Sequence, residues 1–284
     1  MLDDSTVAIE DRRIAALKVL RIPSGRQLRA VHFPGAVADD YTVTGDTVWF
    51  ATLAPRRGEG LGVYLGIGSL VRWITQDSSA TVMWSGPSAD LLSGTTLSPL
   101  SVLASQVIAI RDSTIYSKFG TRDILEARRR DGTLIDAWGV PQKWRRGLSE
   151  DLMRFALDQK NWYDPQFGED FWGQTRFSSD RRLGILQNGW LVLATVDGWV
   201  SGKVLNGTVM VTLLDLDGER ACVDRVVPTN GVAWPRVTLH GDSIVTLTQE
   251  LDANDKLRLM AIYFPVMPAS CDWVPLGKAS PRPR

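Results

Sequence analysis

Few residues in this chain could do covalent chemistry, and their spacing narrows the choice further. Histidine occurs only at His32 and His240. His32 falls in the closing strand of its unit and His240 in a short turn, so a shared catalytic triad or a two-histidine metal site is not expected; both are read as solvated or structural. No G-x-S-x-G, H-E-x-x-H, P-loop or paired C-x-x-C pattern occurs. Gly58-Glu59-Gly60-Leu61-Gly62 has the glycines of a phosphate loop. No Lys-Ser/Thr pair follows and strand-like runs flank it, so it is read as flexible loop. Asn206-Gly207-Thr208 fits a glycosylation acceptor, yet Asn-Gly ahead of a strand is already explained as a turn. Cys222 and Cys271 match no metal spacing. Two buried thiols are expected, with one bridge in an oxidising compartment as the alternative if the units carrying them are neighbours.

Recognition chemistry is better supplied. Arginine and aromatic side chains offer large contact area at low entropic cost and dominate interfaces as well as peptide and glycan sites. They gather between the strand-like runs: Arg56, Arg57, Glu59 and Tyr64 in one loop, and Trp144, Arg145 and Arg146 at the start of an insertion. Trp162, Tyr163 and Trp172 lie further along that insertion, and Trp199, Lys203 and Trp234 elsewhere. These thirteen are the candidate ligand contacts, weighed against simple packing; Trp138 and Trp190 sit in strand alternation and are read as core.

The elements that would position them are short strands. Val107–Val140 holds four strand-like runs divided by turns at Arg111-Asp112, Phe119–Asp123 and Asp131-Gly132. Four antiparallel strands with tight turns make a meander, and a recurring meander is the mark of a β-propeller blade. The grammar recurs at Tyr41–Trp84, at Leu183–Val227 around Asn188-Gly189 and Asp217-Gly218, and more weakly at Arg236–Val274. Ser5–Phe33 carries the last three strands of such a unit without the first. The segment 141–177 interrupts the third and fourth units. Its Ser149-Glu150-Asp151 N-cap and its Leu148, Leu152 and Phe155 spacing predict one helix over residues 150–159.

The bulk numbers agree with an ordinary globular protein. Of 284 residues 44% are hydrophobic and 23% charged, and Lys plus Arg equals Asp plus Glu at 32 each. No global field draws the chain to nucleic acid or an anionic membrane. No run reaches a membrane span, and the N-terminal residues lack the basic start and apolar run of a signal peptide.

Asp112-Ser113-Thr114-Ile115-Tyr116, Ile124-Leu125 and Asp131-Gly132-Thr133-Leu134-Ile135 together resemble a blade of the six-bladed β-propellers related to NHL repeats. Glu10-Asp11-Arg12-Arg13-Ile14 resembles the same family's acid-to-Arg-Ile step. The resemblance implies an all-β propeller of four-stranded antiparallel blades, five visible of six, in one domain over residues 1–276; the polar tail at 277–284 is expected to be disordered. It also implies that a blade, and with it a signal peptide or lipid anchor, precedes Met1; the alternative is closure by five blades with the C-terminal run pairing beside the Ser5 strand. Some relatives hold a divalent metal at the channel mouth and open lactones. Asp39, Asp40, Glu59, Asp123 and Asp197 could contribute carboxylates there, although the family's ligands do not align residue by residue.

In an up-and-down blade successive connections alternate between two ends. First-to-second and third-to-fourth connections are all short here, whereas the others, Ala54–Gly68, Ser85–Gln106, Pro141–Arg182, Asp197–Gly207 and Pro228–Pro235, are nearly all long. Long loops in compact domains are usually functional or disordered. The expectation is therefore a monomeric propeller that binds a peptide, glycan or small ligand, or a protein, on its loop-bearing end with the insertion as cover, and that needs no cofactor. The alternative is a metal-dependent, lactonase-like hydrolase with an acidic site at the channel mouth, its cofactor a divalent metal. The location is periplasmic or secreted if a signal peptide precedes the chain, otherwise cytoplasmic.

Overall fold

The computed structural model describes residues 5–11, 16–32, 37–57, 64–77, 79–87, 106–119, 123–141, 176–201, 204–227, 236–251, 257–266 and 271–279. Among them every regular element is a strand, and the strands form five antiparallel sheets in a propeller arrangement. Sheet I contains β1 (Thr6–Asp11), β2 (Ala16–Arg21) and β3 (Gln27–His32). Sheet II contains β4 (Val37–Thr44), β5 (Thr47–Arg57), β6 (Tyr64–Ile74) and β7 (Thr81–Pro87). Sheet III is the meander anticipated above: β8 (Gln106–Arg111), β9 (Thr114–Phe119), β10 (Ile124–Arg129) and β11 (Leu134–Gly139). Sheet IV contains β12 (Arg176–Ile185), β13 (Leu191–Ser201), β14 (Val204–Asp215) and β15 (Arg220–Val227). Sheet V contains β16 (Arg236–His240), β17 (Ser243–Leu251) and β18 (Leu257–Pro265). A last strand, β19 (Trp273–Pro275), pairs with β15 and so joins sheet IV. The helix expected over 150–159 lies outside the described residues.

Sheet-to-sheet packing explains why these strands are apolar on both faces. On β8, Ile108 and Ile110 face sheet II and pack with Trp49, Ala51 and Leu70. Val107 and Ala109 of the same strand face sheet IV and pack with Leu183, Leu191 and Leu193. A third core joins Leu17, Val19 and Val31 of sheet I to Val48, Phe50, Val71 and Trp73 of sheet II. A fourth joins Val192, Ala194, Val209 and Val211 of sheet IV to Ile244 of sheet V. A strand buried on both sides reads as a continuous apolar run, which is why QVIAIR and LVLATV stand out in the sequence. Gly184 on β12 lets Leu239 of β16 approach the sheet, because a Cβ there would fall on the leucine Cδ2 atom.

The antiparallel order gives the molecule two ends. The turn end carries tight connections such as Gly45-Asp46 and Gly241-Asp242, with both glycines at positive φ. The loop end carries the second-to-third-strand connections and the links between sheets.

Three expectations are corrected. The loop expected over 54–68 is largely a hairpin: β5 and β6 stay paired out to Arg57 opposite Tyr64, with Pro55 opposite Gly66. The loop expected over 197–207 is likewise ladder out to Ser201 opposite Val204. Asn206-Gly207 is therefore not a turn there; it lies in mid-strand opposite Trp199 and Gly198. Physically, glycine opposite glycine or proline removes side chains without removing the ladder, so composition mimics a loop. Finally, the C-terminal run does not complete sheet V or reach the Ser5 strand. It runs back along the outer edges of sheets IV and III, where Gly277 accepts from Gly139 N at 2.8 Å and Ala279 N donates to Ala137 at 3.0 Å. The tail expected to be disordered from 277 is thus bonded through Ala279.

Candidate polar site at the inner strands

The inner strands β4, β8 and β12 bring together a group of buried polar side chains. Two of these strands are locally kinked. In β12 the register with β13 shifts between Asp180 and Arg182, making Arg181 the extra residue of a bulge. In β4 the register with β5 shifts between Ala38 and Asp40, making Asp39 the extra residue. A bulge re-aims the side chains beside it, and here Asp40, Asp180 and Arg182 are those side chains.

Asp40 is buried next to the free inner edge of β8. Its carboxylate accepts from Ile108 N at 3.0 Å and from its neighbour Tyr41 N at 2.9 Å. Arg182 reaches across from sheet IV to donate to the Asp40 carboxylate and to the Tyr41 carbonyl, and its guanidinium stacks 5.5 Å from the Tyr41 ring centroid. One carboxylate therefore ties sheets II, III and IV together and satisfies a backbone donor that no strand can reach. Burial pushes the Asp40 carboxyl above its ordinary range, outweighing the opposing pull of Arg182 and the two N–H donors.

Nearer the loop end, Lys118 of β9 and Asp180 of β12 form an ion pair across the seam between sheets III and IV, each 1% exposed. Thr195 donates to the second Asp180 oxygen at 2.7 Å. Ser178 donates to Asp197 at 3.0 Å, linking β12 to β13. Gln106, Ser117 and Ser179 are also buried in this region of the strands. Paired charges of both signs, with hydroxyls between them, tie the inner strands together from within the protein.

The expected site residues are placed as follows. Arg56 and Arg57 end β5, Tyr64 begins β6 opposite Arg57, and Trp199 lies on β13 opposite Asn206. All four backbone positions lie at the loop end, in the outer halves of their hairpins. Glu59, Trp144, Arg145, Arg146, Trp162, Tyr163, Trp172, Lys203 and Trp234 lie outside the described residues. Of the carboxylates, Asp40 and Asp197 join the buried polar group, Asp123 is exposed before β10, and Asp39 is the bulge residue of β4. Among the described residues no three His, Cys, Asp or Glu side chains converge as a metal would require. His240 stacks edge-on with Tyr263 at the turn end, 6.2 Å between centroids, whereas His32 ends β3 at the loop end. The two histidines are not brought together.

Sequence reading missed Lys118, Asp180, Arg182, Ser178 and Thr195. A signal existed for Lys118: it follows Tyr116 by two residues and so occupies a core-facing position. For β12 the bulge hid it, because one extra residue breaks the alternation by which inward positions are counted.

The cysteines, expected as thiols, form a disulfide between Cys222 and Cys271, 5.9 Å between Cα atoms. The reason is the return of the C-terminal strand: β19 pairs Trp273 opposite Cys222, which carries Cys271 over the edge of sheet IV.

No family model matches this chain, and no curated protein matches it. Solved structures similar to it include a member of the DUF4221 family from Bacteroides vulgatus, 9% identical, covering 86% of this chain and 70% of that one with a TM-score of 0.48. A protein from Bacteroides fragilis is 11% identical over 87% of this chain and 64% of its own, with a TM-score of 0.47. A chain of the nidogen/laminin complex is 12% identical over 91% and 89%, with a TM-score of 0.39.

Proposed function

We propose that this protein is a binding propeller that takes a peptide, glycan or small polar ligand, or a protein, at its loop end, over sheet III. One observation carries the reading. Sheets II and IV flank sheet III, yet β5 and β6 run 11 residues each and β13 and β14 run 11 and 12, against 6 for β9 and β10. Measured from the turn end, five further residues at about 3.3 Å each lift the flanking hairpins roughly 16 Å above sheet III. Among the described residues sheet III is thus the low point between two taller hairpins, and the Lys118–Asp180 pair, each 1% exposed, is buried beneath it. Arg56, Arg57, Tyr64 and Trp199 belong to the raised parts, and β11 ends and β12 begins at the same end. The disulfide favours an oxidising, extracytoplasmic setting.

The test is binding of the purified protein to an oligosaccharide array and to a peptide library, followed by the variants R56A, W162A and W199A. The reading expects at least one of these to weaken a confirmed ligand tenfold or more. A ligand bound with full affinity by all three variants places recognition elsewhere and overturns it.

A further inference from the structure

The raised part of sheet IV has two unlike faces. Leu193 of β13 packs against sheet III, and Val192 and Ala194 pack towards sheet V. By alternation Thr195, Asp197 and Trp199 lie on the face turned to sheet III. Their ladder partners complete two cross-strand rows on that face: Ser178, Asp197 and Thr208, and beyond it Arg176, Trp199 and Asn206. The row between them, on the face turned to sheet V, is Phe177, Gly198 and Gly207, and the next is Val200 with Leu205. Donors and acceptors in these rows are therefore confined to one face.

Contact with solvent would account for hydroxyls and charges there. Trp199, at the centre of the outer row, is the exception, and the inner row is anchored. Ser178, 8% exposed, donates to the Asp197 carboxylate at 3.0 Å. The next row towards the turn end holds Asp180 between Lys118 and Thr195. Asp197 is thus steadied from within the protein while remaining half-buried, as Thr208 does. Val226 of β15 lies on the same face, opposite Met210, and is 59% exposed.

We propose that this face binds a pyranose oligosaccharide, with Trp199 stacking on the C–H side of one ring and Asp197, Thr208 and Asn206 bonding sugar hydroxyls. The inference rests on the reading of the loop end as the binding end and names the ligand class there. A pyranose offers an apolar C–H face and a rim of hydroxyls, so it needs a flat aromatic beside groups that both donate and accept. Directly opposed side chains of an antiparallel sheet lie about 5 Å apart and successive rows on one face about 7 Å apart, so one sugar unit spans a row. A peptide would call instead for an unpaired strand edge or apolar side-chain pockets, and here β13 is paired on both sides, to β12 and to β14. Nucleic acid would call for a basic surface, whereas Arg176 and Asp197 give these two rows one charge of each sign.

The full chain is screened on an array of oligosaccharides built from neutral hexoses, N-acetylhexosamines and uronic acids, and each hit is titrated by calorimetry. The expected result is saturable binding of at least one oligosaccharide, at least tenfold weaker in Trp199→Ala and in Asp197→Asn and largely restored in Trp199→Phe, which keeps a flat ring. Tyr263→Ala, at the turn end, should bind as the parent does. Circular dichroism checks that the variants fold. Amide exchange needs no variant, and the bound sugar should slow it along β13 and β14. A peptide library that yields a ligand weakened by R56A or W199A, with no hit on the array, overturns the saccharide assignment and leaves the loop end as the binding end. An oligosaccharide bound with full affinity by both Trp199→Ala and Asp197→Asn, or one whose protection spares β13 and β14, overturns the inference. Failure of both the array and the peptide library overturns it together with the reading it rests on.

Discussion

The Cys222–Cys271 bridge supports a prediction whose size can be worked out in advance. Its partners are 49 residues apart in sequence, and all of sheet V lies between them. Around the bridge, Ala221 pairs with Val274 and Leu276 N donates to Glu219 at 2.8 Å. Arg220 stacks 4.5 Å from the Trp273 ring, and Lys278 stacks 4.5 Å from Trp138 while bonding Asp136. The returning segment is thus a belt over the edges of sheets IV and III, and the bridge fixes where it starts. Lys278 also holds the Asp136 carboxyl below its ordinary range, but both groups are partly exposed, so that ion pair adds well under about 1 kcal/mol.

Cross-linking a loop of that length removes about 4 kcal/mol of conformational freedom from the unfolded chain. Unfolding entropy near the midpoint is about 2.1 cal/mol/K per residue, or roughly 0.6 kcal/mol/K for this chain, so the double variant C222A/C271A should melt about 7 °C below the oxidised parent. Scanning calorimetry on the two proteins measures it. Dithiothreitol should lower the parent towards the variant and leave the variant unchanged. A variant melting within about 1 °C of the oxidised parent would refute the reasoning, since neither loop closure nor the belt would then be contributing.

Two further outcomes follow from the packing. Asp40 has a raised folded carboxyl pKa against an ordinary value of 3.8, so the stability it contributes is fully present below that value and is lost as pH rises through the folded pKa. Asp40→Asn cannot ionise; its urea midpoint should therefore gain on the parent's as pH is raised through that window, and a difference moving the other way would contradict the assignment. Gly184→Ala would set a methyl on Leu239 Cδ2, and overpacking of this kind costs about 1–3 kcal/mol; an unchanged urea midpoint would show that the seam between sheets IV and V yields freely.

Architecture was legible where turn chemistry and burial agreed. Val107–Val140 announced sheet III because Asp112 and Gly132 take positive φ at its turns and its inner strands β8 and β9 are buried on both faces. It was illegible where glycine and proline sit inside a ladder. Gly66 and Gly68 opposite Pro55 and Leu53, and Gly198 opposite Gly207, read as loop because composition cannot tell a missing side chain from a missing hydrogen bond. The same confusion put Trp199 on a loop instead of on the wall of a hairpin. The polar site was harder still, since Asp40 and Arg182 are 142 residues apart in sequence and meet only once three sheets are arranged around a common axis. Local periodicity carries no information about that meeting.

The bulges separate scaffold from site in a way that neither burial nor charge does alone. Those in the third-to-fourth strand pairs occur in sheets II, III and IV alike, as expected of a device that sets the twist of a blade. The bulges in first-to-second pairs occur at Asp39 and Arg181 but not in β8–β9 or β16–β17, whose registers run unbroken. A feature that repetition does not require needs a local cause, and both lie beside the same contact, the Arg182–Asp40 bridge over the inner edge of β8. Each inserts one residue ahead of a charged side chain, turning Asp40 and Arg182 towards the axis where unbroken alternation would have set them on other faces. The β8–β9 pair of sheet III keeps its regular register between these two kinked strands. The polar site is therefore built by sheets II and IV around sheet III, the same pair whose hairpins rise above it at the loop end.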